Sequence, residues 1–127
     1  MKLMIVEDSP LVRERIVEML NNCVPTESLF VAESAERALS LAEAHSLDVV
    51  LLDLWLMDGH GFDVLRALKT QQESVQVVVM TLDPSEQYKK RALQLGASHF
   101  FDKIKDYKVI IEVIGGLVGR ANTNSTH

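Results

Sequence analysis

The sequence predicts an α/β protein in which a five-stranded parallel sheet lies between two layers of helices. Short apolar runs alternate along the chain with longer segments whose apolar residues recur at helical spacing. One run, residues 49–52, is apolar without interruption and ends at Asp53, which is typical of a strand buried on both faces of a sheet. Such alternation predicts right-handed crossovers and a three-layer sandwich.

The predicted elements follow one another without an interdomain linker. The five strands are residues 3–6, 29–32, 49–54, 75–80 and 99–101. Ser9 and Pro10 predict the start of the first helix, because a hydroxyl can cap it and proline suits its first turn. Pro84 is expected to open the fourth helix and Gly96 to end it. The fifth helix is expected from about Asp106 to Leu117.

Length and composition limit the classes of protein to which the chain can belong. Its 127 residues fit one domain, placed at 1–120, followed by a polar and disordered tail at 121–127. A net charge of −5 argues against direct nucleic-acid binding, which requires clustered Lys and Arg. The single Cys23 excludes an internal disulfide and suits a reducing cytoplasm. No apolar run approaches the roughly 20 residues of a membrane span, so a cytoplasmic location without membrane contact is expected.

Polar residues follow four of the five predicted strands. They are Glu7 and Asp8, then Asp53, Thr81 and Lys103. Parallel strands present these ends at one edge of the sheet, and in a flavodoxin-like order the first and third strands are neighbours. Carboxylates so close repel one another unless a cation joins them, and Mg²⁺ suits such ligands. The ammonium group and the hydroxyl suit the oxygens of a transferring phosphoryl group.

A more specific signal comes from five stretches in order and spacing. They are residues 5–9 (IVEDS), 51–54 (LLDL), 59–65 (GHGFDVL), 80–81 (MT), and 92–97 (ALQLGA) leading to 100–103 (FFDK). From Met1 to Lys103 the chain resembles the receiver domain of two-component response regulators. The resemblance implies a flavodoxin-like sandwich with strand order 2-1-3-4-5 and a phosphorylation-dependent signalling switch, not an enzyme acting on an external substrate.

The resemblance also implies roles for the residues at the sheet edge. Asp53 would accept a phosphoryl group from a phosphohistidine of a sensor histidine kinase or a histidine phosphotransfer protein. Asp8 and Asp53 would bind Mg²⁺ together with the backbone carbonyl of Trp55, and Glu7 would act through water. Lys103 would pair with the phosphoryl oxygens.

Two further residues would form the switch. Thr81 would move toward the phosphoryl group, and the ring of Phe100 would turn inward. This would change the face made by the fourth helix, the fifth strand and the fifth helix, which would control a partner or effector. The fifth helix is apolar on more than one side, from Val109 to Val118, so it predicts either generous core burial or a homodimer or partner interface.

The chain departs from the family pattern at four positions. Met57 and Ile104 stand where proline is common, Leu82 where a small residue is usual, and Phe100 where tyrosine is commoner. A cis bond without proline costs about 3 kcal/mol, so a trans Lys103–Ile104 bond is expected. Bulky Leu82, together with Trp55 near the acceptor, predicts an acyl phosphate shielded from water and slow self-dephosphorylation.

Three other functions stay open at the level of sequence. A phosphohydrolase with Asp53 as nucleophile would usually carry a second aspartate two positions later, where this chain has Trp55. A flavodoxin-like cofactor binder needs a phosphate-cradling loop after the first strand, and Glu7 and Asp8 would repel that phosphate. A receiver-like interaction module that does not use phosphate would fail to respond to acetyl phosphate or beryllofluoride with Mg²⁺.

Overall fold

The computed structural model describes residues 1–21 and 24–125, without the side chains of residue 26 and residues 119–125. The strands are β1 (Leu3–Val6), β2 (Leu29–Ala32), β3 (Val49–Asp53), β4 (Trp55–Leu56), β5 (Gly59–His60), β6 (Gln76–Thr81) and β7 (His99–Asp102). The helices are α1 (Pro10–Leu20), α2 (Ala35–Ala44), α3 (Gly61–Gln71), α4 (Glu86–Gln94) and α5 (Tyr107–Ser125), and a 3₁₀ turn spans Thr26–Ser28. Cys23, predicted to be buried at the end of the first helix, lies outside the described residues.

The main sheet is parallel throughout, in the order β2-β1-β3-β6-β7. Since β6 and β7 are the fourth and fifth predicted strands, the predicted order 2-1-3-4-5 is confirmed. β1 and β3 are neighbours, with Val6 opposite Leu52, so the residues that follow them emerge side by side. The topology therefore brings the predicted acidic residues to one edge.

Each face of the sheet builds its own apolar core. Leu52 and Val79 point toward the layer that contains α2, α3 and α4, whereas Leu51 and Val78 point toward α1 and α5. Alternate residues of one strand are thus buried on opposite sides, which explains why the central strands are apolar without interruption. Phe100 and Phe101 divide in the same way between the two cores.

Serine side chains cap three helices. The hydroxyls of Ser9, Ser34 and Ser85 each accept a hydrogen bond from the backbone N–H group of the third residue of α1, α2 and α4, respectively. The fourth helix therefore begins at Glu86, two residues later than the proline predicted to open it, because Ser85 supplies the capping oxygen. Gly96 ends this helix as predicted, at a φ of 104° that favours glycine.

The segment after β3 contains a short antiparallel hairpin, where none of the five predicted strands lies. β4 and β5 pair with Trp55 opposite His60, and we call residues 55–60 the hairpin. Gly61 follows it and begins α3. A Cβ atom at Gly61 would lie 2.6 Å from the Leu54 Cα atom, so only glycine allows α3 to start this close to the end of β3.

The last helix is longer than predicted. The helix continues past Leu117 to Ser125, into the segment that the sequence predicts to be a disordered tail. This segment contains no proline that would prevent further helical hydrogen bonding. The domain boundary at residue 120 stays a prediction.

Most apolar side chains of the described part of α5 face the core. Ile110, Ile114, Leu117 and Val118 are buried, and Val109 is exposed. Core burial therefore accounts for most of the apolar excess of this helix, and a partner surface along it stays a prediction. Among the described residues no helix combines the length and apolar character needed to span a membrane.

Candidate phosphoacceptor and metal site

The centre of the site is a buried ion pair in which one ammonium group meets two carboxylates. The Lys103 Nζ atom lies 2.5 Å from Glu7 Oε1 and 2.9 Å from Asp53 Oδ2. Glu7 is 0% exposed and Asp53 3% exposed, whereas the lysine side chain enters from the rim. Residues from the ends of β1, β3 and β7 therefore meet where the sequence predicts, although the direct contact between Glu7 and Lys103 was not predicted.

The charges of Glu7, Asp53 and Lys103 influence one another. Burial raises the pKa of the Glu7 carboxyl above its ordinary value, and the charge of Asp53 adds to this effect, while the hydrogen bond with Lys103 opposes it. For Lys103, burial alone would lower the pKa, but its hydrogen bonds with Glu7 and Asp53 and the negative charges of these two groups together outweigh burial and raise the pKa. The lysine therefore remains an ammonium group at neutral pH.

Asp8 completes an acidic cluster that fits a hard divalent cation. Glu7, Asp8 and Asp53 each offer a carboxylate oxygen, and these oxygens lie within 4.8 Å of one another. One ammonium group against three carboxylates leaves negative charge that Lys103 alone does not balance. Oxygen ligands of this kind suit Mg²⁺.

Two backbone N–H groups of the hairpin orient the acidic side chains. Trp55 donates to Asp53 Oδ1 over 3.2 Å, and Met57 donates to Asp8 Oδ2 over 3.0 Å. The Trp55 ring, 43% exposed, meets the His60 ring at a centroid distance of 4.7 Å and the Tyr88 ring of α4 at 5.7 Å. The hairpin thus connects the acidic site with α4.

The two residues predicted to form the switch lie beside this site. Thr81 ends β6 and is fully buried, and its Oγ1 atom accepts a hydrogen bond from the Asp83 N–H over 3.0 Å. The hydroxyl proton is therefore free to be donated elsewhere. Phe100 is half-buried against the core formed with α2, α3 and α4.

The loop after β7 is held by a side chain rather than by proline. Asp102 Oδ1 accepts hydrogen bonds from the N–H groups of Ile104 and Lys105 over 2.8 and 2.9 Å. The bonds from Lys105 and Ile104 hold the pKa of Asp102 below its ordinary value. The described residues contain no cis peptide bond, so the predicted trans Lys103–Ile104 bond is confirmed.

Exposed apolar side chains surround the entrance to the site. Leu82 is 62% exposed and Ile104 74% exposed. They border a cleft of about 570 Å³, which is lined by Ser9, Val12, Arg15, Leu82, Lys103, Ile104 and Tyr107. A second molecule could therefore make apolar contacts next to Lys103.

Three polar contacts around the site were not predicted from the sequence. Arg13 Nη1 donates to the Glu7 carbonyl oxygen over 3.0 Å, His60 Nδ1 caps α3 by accepting from Phe62 N–H, and Asp58 caps α2 from the hairpin. The position of Asp58 beside two glycines marks a turn, but no periodic pattern connects it with a helix 23 residues earlier.

Comparison with known proteins identifies the family. The sequence model described as the response regulator receiver domain matches residues 3–115. The chain belongs to this family. The probable transcriptional regulatory protein SilR of Salmonella typhimurium is 30% identical over 99% of this chain and 54% of SilR. The nitrate/nitrite response regulator protein NarP of Escherichia coli K12 is 29% identical over 89% of this chain and 53% of NarP. This receiver domain spans about half the length of these curated relatives.

Solved structures confirm the receiver fold. The signal receiver domain of a DNA-binding response regulator (merR) from Colwellia psychrerythraea has a TM-score of 0.83 and 25% identity, over 93% of this chain and 98% of that one. A CheY-like receiver domain protein from Methanospirillum hungatei, 18% identical, shows the same fold with a TM-score of 0.83 over 97% of both chains. Membership of the family supports a phosphorylation-dependent signalling switch, and receiver domains typically bind Mg²⁺ at an acidic pocket such as the one described here.

Proposed function

We propose that Asp53 accepts a phosphoryl group from the phosphohistidine of a sensor histidine kinase or a histidine phosphotransfer protein. The observation that carries this proposal is the ammonium group of Lys103, 2.9 Å from the buried Asp53 Oδ2 atom at the carboxyl edge of the sheet. A carboxylate at this position is held next to a positive charge that can stabilise the oxygens of an incoming phosphoryl group.

The acidic cluster would hold Mg²⁺ beside the acceptor. Asp8, Asp53 and the backbone carbonyl of Trp55 would be direct ligands, and Glu7 would act through water. Bound Mg²⁺ supplies positive charge that offsets the charge of the carboxylates and of the phosphoryl oxygens.

In the transfer step a carboxylate oxygen of Asp53 attacks the phosphorus atom of the donor. A P–O bond forms as the P–N bond breaks, and the electron pair of the broken bond returns to the imidazole, which takes up a proton. Lys103 would keep its charge and turn from the carboxylate toward the phosphoryl oxygens, which its raised pKa supports.

The side chains of Thr81 and Phe100 would move in response to the charge of the phosphoryl group on Asp53. The Thr81 hydroxyl, whose proton is free, would donate to a phosphoryl oxygen, and the Phe100 ring would move into the space that the threonine leaves. The surface formed by α4, β7 and α5 would then change and control a partner or effector. A homodimer or effector contact along α5, and a cytoplasmic location, remain parts of this proposal.

The test uses Trp55, the only tryptophan, as a fluorescent reporter. Wild type, Asp53→Asn and the control Asp63→Asn, which changes an exposed aspartate of α3, are titrated with Mg²⁺ and then treated with acetyl phosphate. In the wild type we expect Mg²⁺ to quench the fluorescence, acetyl phosphate to change it further, and the mass to increase by one phosphoryl group. Asp63→Asn should give the same three results. Asp53→Asn should neither gain mass nor respond to acetyl phosphate. A wild type that neither gains mass nor responds would instead favour a phosphate-independent interaction module.

A further inference from the structure

The hairpin is attached to the acidic site through its backbone. The N–H groups of Trp55 and Met57 donate to Asp53 and Asp8, which are the two carboxylates proposed to bind Mg²⁺ directly. The orientation of both carboxylates therefore depends on where the hairpin lies. A segment of six residues needs an anchor of its own to keep such donors in place.

Asp58 supplies an anchor on the opposite side of the hairpin. Its Oδ1 atom accepts from the Ala35 N–H over 2.8 Å, and its Oδ2 atom accepts from the Glu36 N–H over 3.1 Å. Both donors belong to the first turn of α2, where a carboxylate interacts favourably with the unpaired N–H groups and the helix dipole. Next to it, a Cβ atom at Gly59 would lie 3.4 Å from Ala35 Cβ, so the turn rests directly against this helix end.

A second residue caps the same helix without belonging to the hairpin. Ser34 Oγ accepts from the Arg37 N–H over 3.0 Å, as expected for a serine that immediately precedes a helix. Ser34 and Asp58 thus both satisfy N–H groups of the first turn of α2. Only Asp58 is adjacent in sequence to Met57, which contacts Asp8.

We propose that Asp58 is a positioning residue for the divalent cation: by fixing the hairpin to α2 it holds the Met57 and Trp55 backbone against Asp8 and Asp53. This proposal rests on the proposed Mg²⁺ site and adds a residue to its outer support. Side chains that orient metal ligands typically change metal affinity by about 10–100-fold when they are removed. Because Asp58 acts through the backbone of its neighbours, we expect the lower end of this range.

The experiment measures the dissociation constant of Mg²⁺ by isothermal titration calorimetry in wild type, Asp58→Ala and Ser34→Ala. We expect Asp58→Ala to weaken Mg²⁺ binding about tenfold and Ser34→Ala to leave it unchanged, with similar losses of thermal stability. Amide hydrogen exchange of Met57, measured by NMR without Mg²⁺, is expected to accelerate in Asp58→Ala only. Asp58→Asn keeps one acceptor oxygen and should bind Mg²⁺ with an affinity between those of the wild type and Asp58→Ala. This variant replaces Asp58→Ala in the test if the alanine variant does not fold.

Two outcomes would overturn the proposal, and a separate variant tests the site on which it rests. Equal weakening in Asp58→Ala and Ser34→Ala would mean that Asp58 only stabilises α2. Unchanged Mg²⁺ binding in Asp58→Ala and Asp58→Asn would mean that the hairpin does not need this anchor. Asp8→Asn tests the site itself, because Mg²⁺ binding that survives this change would refute the proposed ligand set, whatever Asp58 does.

Discussion

Replacing Lys103 by methionine would remove the cation that two buried carboxylates share. Glu7 has no exposed surface, so without Lys103 its negative charge would be buried without a partner, which costs free energy. The carboxyl is therefore expected to take up a proton. Its ordinary pKa is 4.5, and keeping a carboxyl protonated costs about 1.36 kcal/mol for each pH unit above that value. The part of the loss that comes from Glu7 should therefore be about 3 kcal/mol of unfolding free energy at pH 7 and less than about 1 kcal/mol at pH 5.

The sign of this pH dependence follows from the direction of the shift. The pKa of Glu7 is raised in the folded protein, which means that folding favours the neutral carboxyl. The stability that this preference contributes is fully present below the ordinary pKa of Glu7 and is lost as the pH rises through the raised pKa. Without Lys103 to oppose the shift, the variant should lose stability more steeply than wild type between pH 5 and pH 7. Mg²⁺ at a hundred times its dissociation constant should raise the free energy of unfolding of either protein by about 2.7 kcal/mol if the ion binds only the folded state.

Urea unfolding at both pH values, followed by circular dichroism and Trp55 fluorescence, measures the effect. Lys105→Met is the matched control, because Lys105 is an exposed lysine of the same loop. Equal losses of stability in Lys103→Met and Lys105→Met at pH 7, or the same loss in Lys103→Met at pH 5 as at pH 7, would contradict the role of Lys103 as the shared cation.

Three further predictions concern the rim and the loop after β7. Leu82→Ala should shorten the lifetime of the acyl phosphate severalfold by admitting water, as measured by loss of the phosphorylated mass after the donor is removed; an unchanged lifetime argues against shielding. Ile104→Asp should slow transfer from a histidine phosphotransfer protein about tenfold while leaving acetyl phosphate reactivity intact, and equal slowing of both would contradict a docking role. The pKa of Asp102 is lowered in the folded protein, so the charged Asp102 side chain stabilises the fold above its ordinary pKa of 3.8, and this stabilisation is lost in acid. Because Asp102→Asn lacks this titrating group, its stability should fall less steeply with decreasing pH than that of the wild type.

The sheet was predictable because burial on both faces leaves a direct trace in the sequence. Residues 49–52 are apolar without a break, and the charge that follows marks the place where the strand leaves the core. Once the strand order was assigned, the meeting of Asp8, Asp53 and Lys103 followed from topology alone. Helix starts were predicted less accurately, since Pro84 and Ser85 are both good signals and only the backbone decides which one begins α4.

Contacts between distant segments of the site were not predictable from local pattern. A hairpin with two-residue strands is too short to show alternation, so no strand was predicted within residues 55–60. The bond from Asp58 to α2 and the direct pairing of Glu7 with Lys103 depend on side-chain geometry that no spacing encodes. The predicted end of α5 at Leu117 was too early, because Gly115, Gly116 and Gly119 lower the helix propensity of this segment only modestly compared with proline.

The ring contact between Trp55 and Tyr88 gives the hairpin a neighbour that lies outside the acidic pocket. A ligand whose binding displaces Tyr88 would act on the same six residues that orient the carboxylates. Thermodynamic reciprocity then requires the cation to alter the affinity of that ligand by the same factor by which the ligand alters the affinity of the cation. Occupancy of the pocket would in this way bias recognition at α4 before any covalent chemistry takes place.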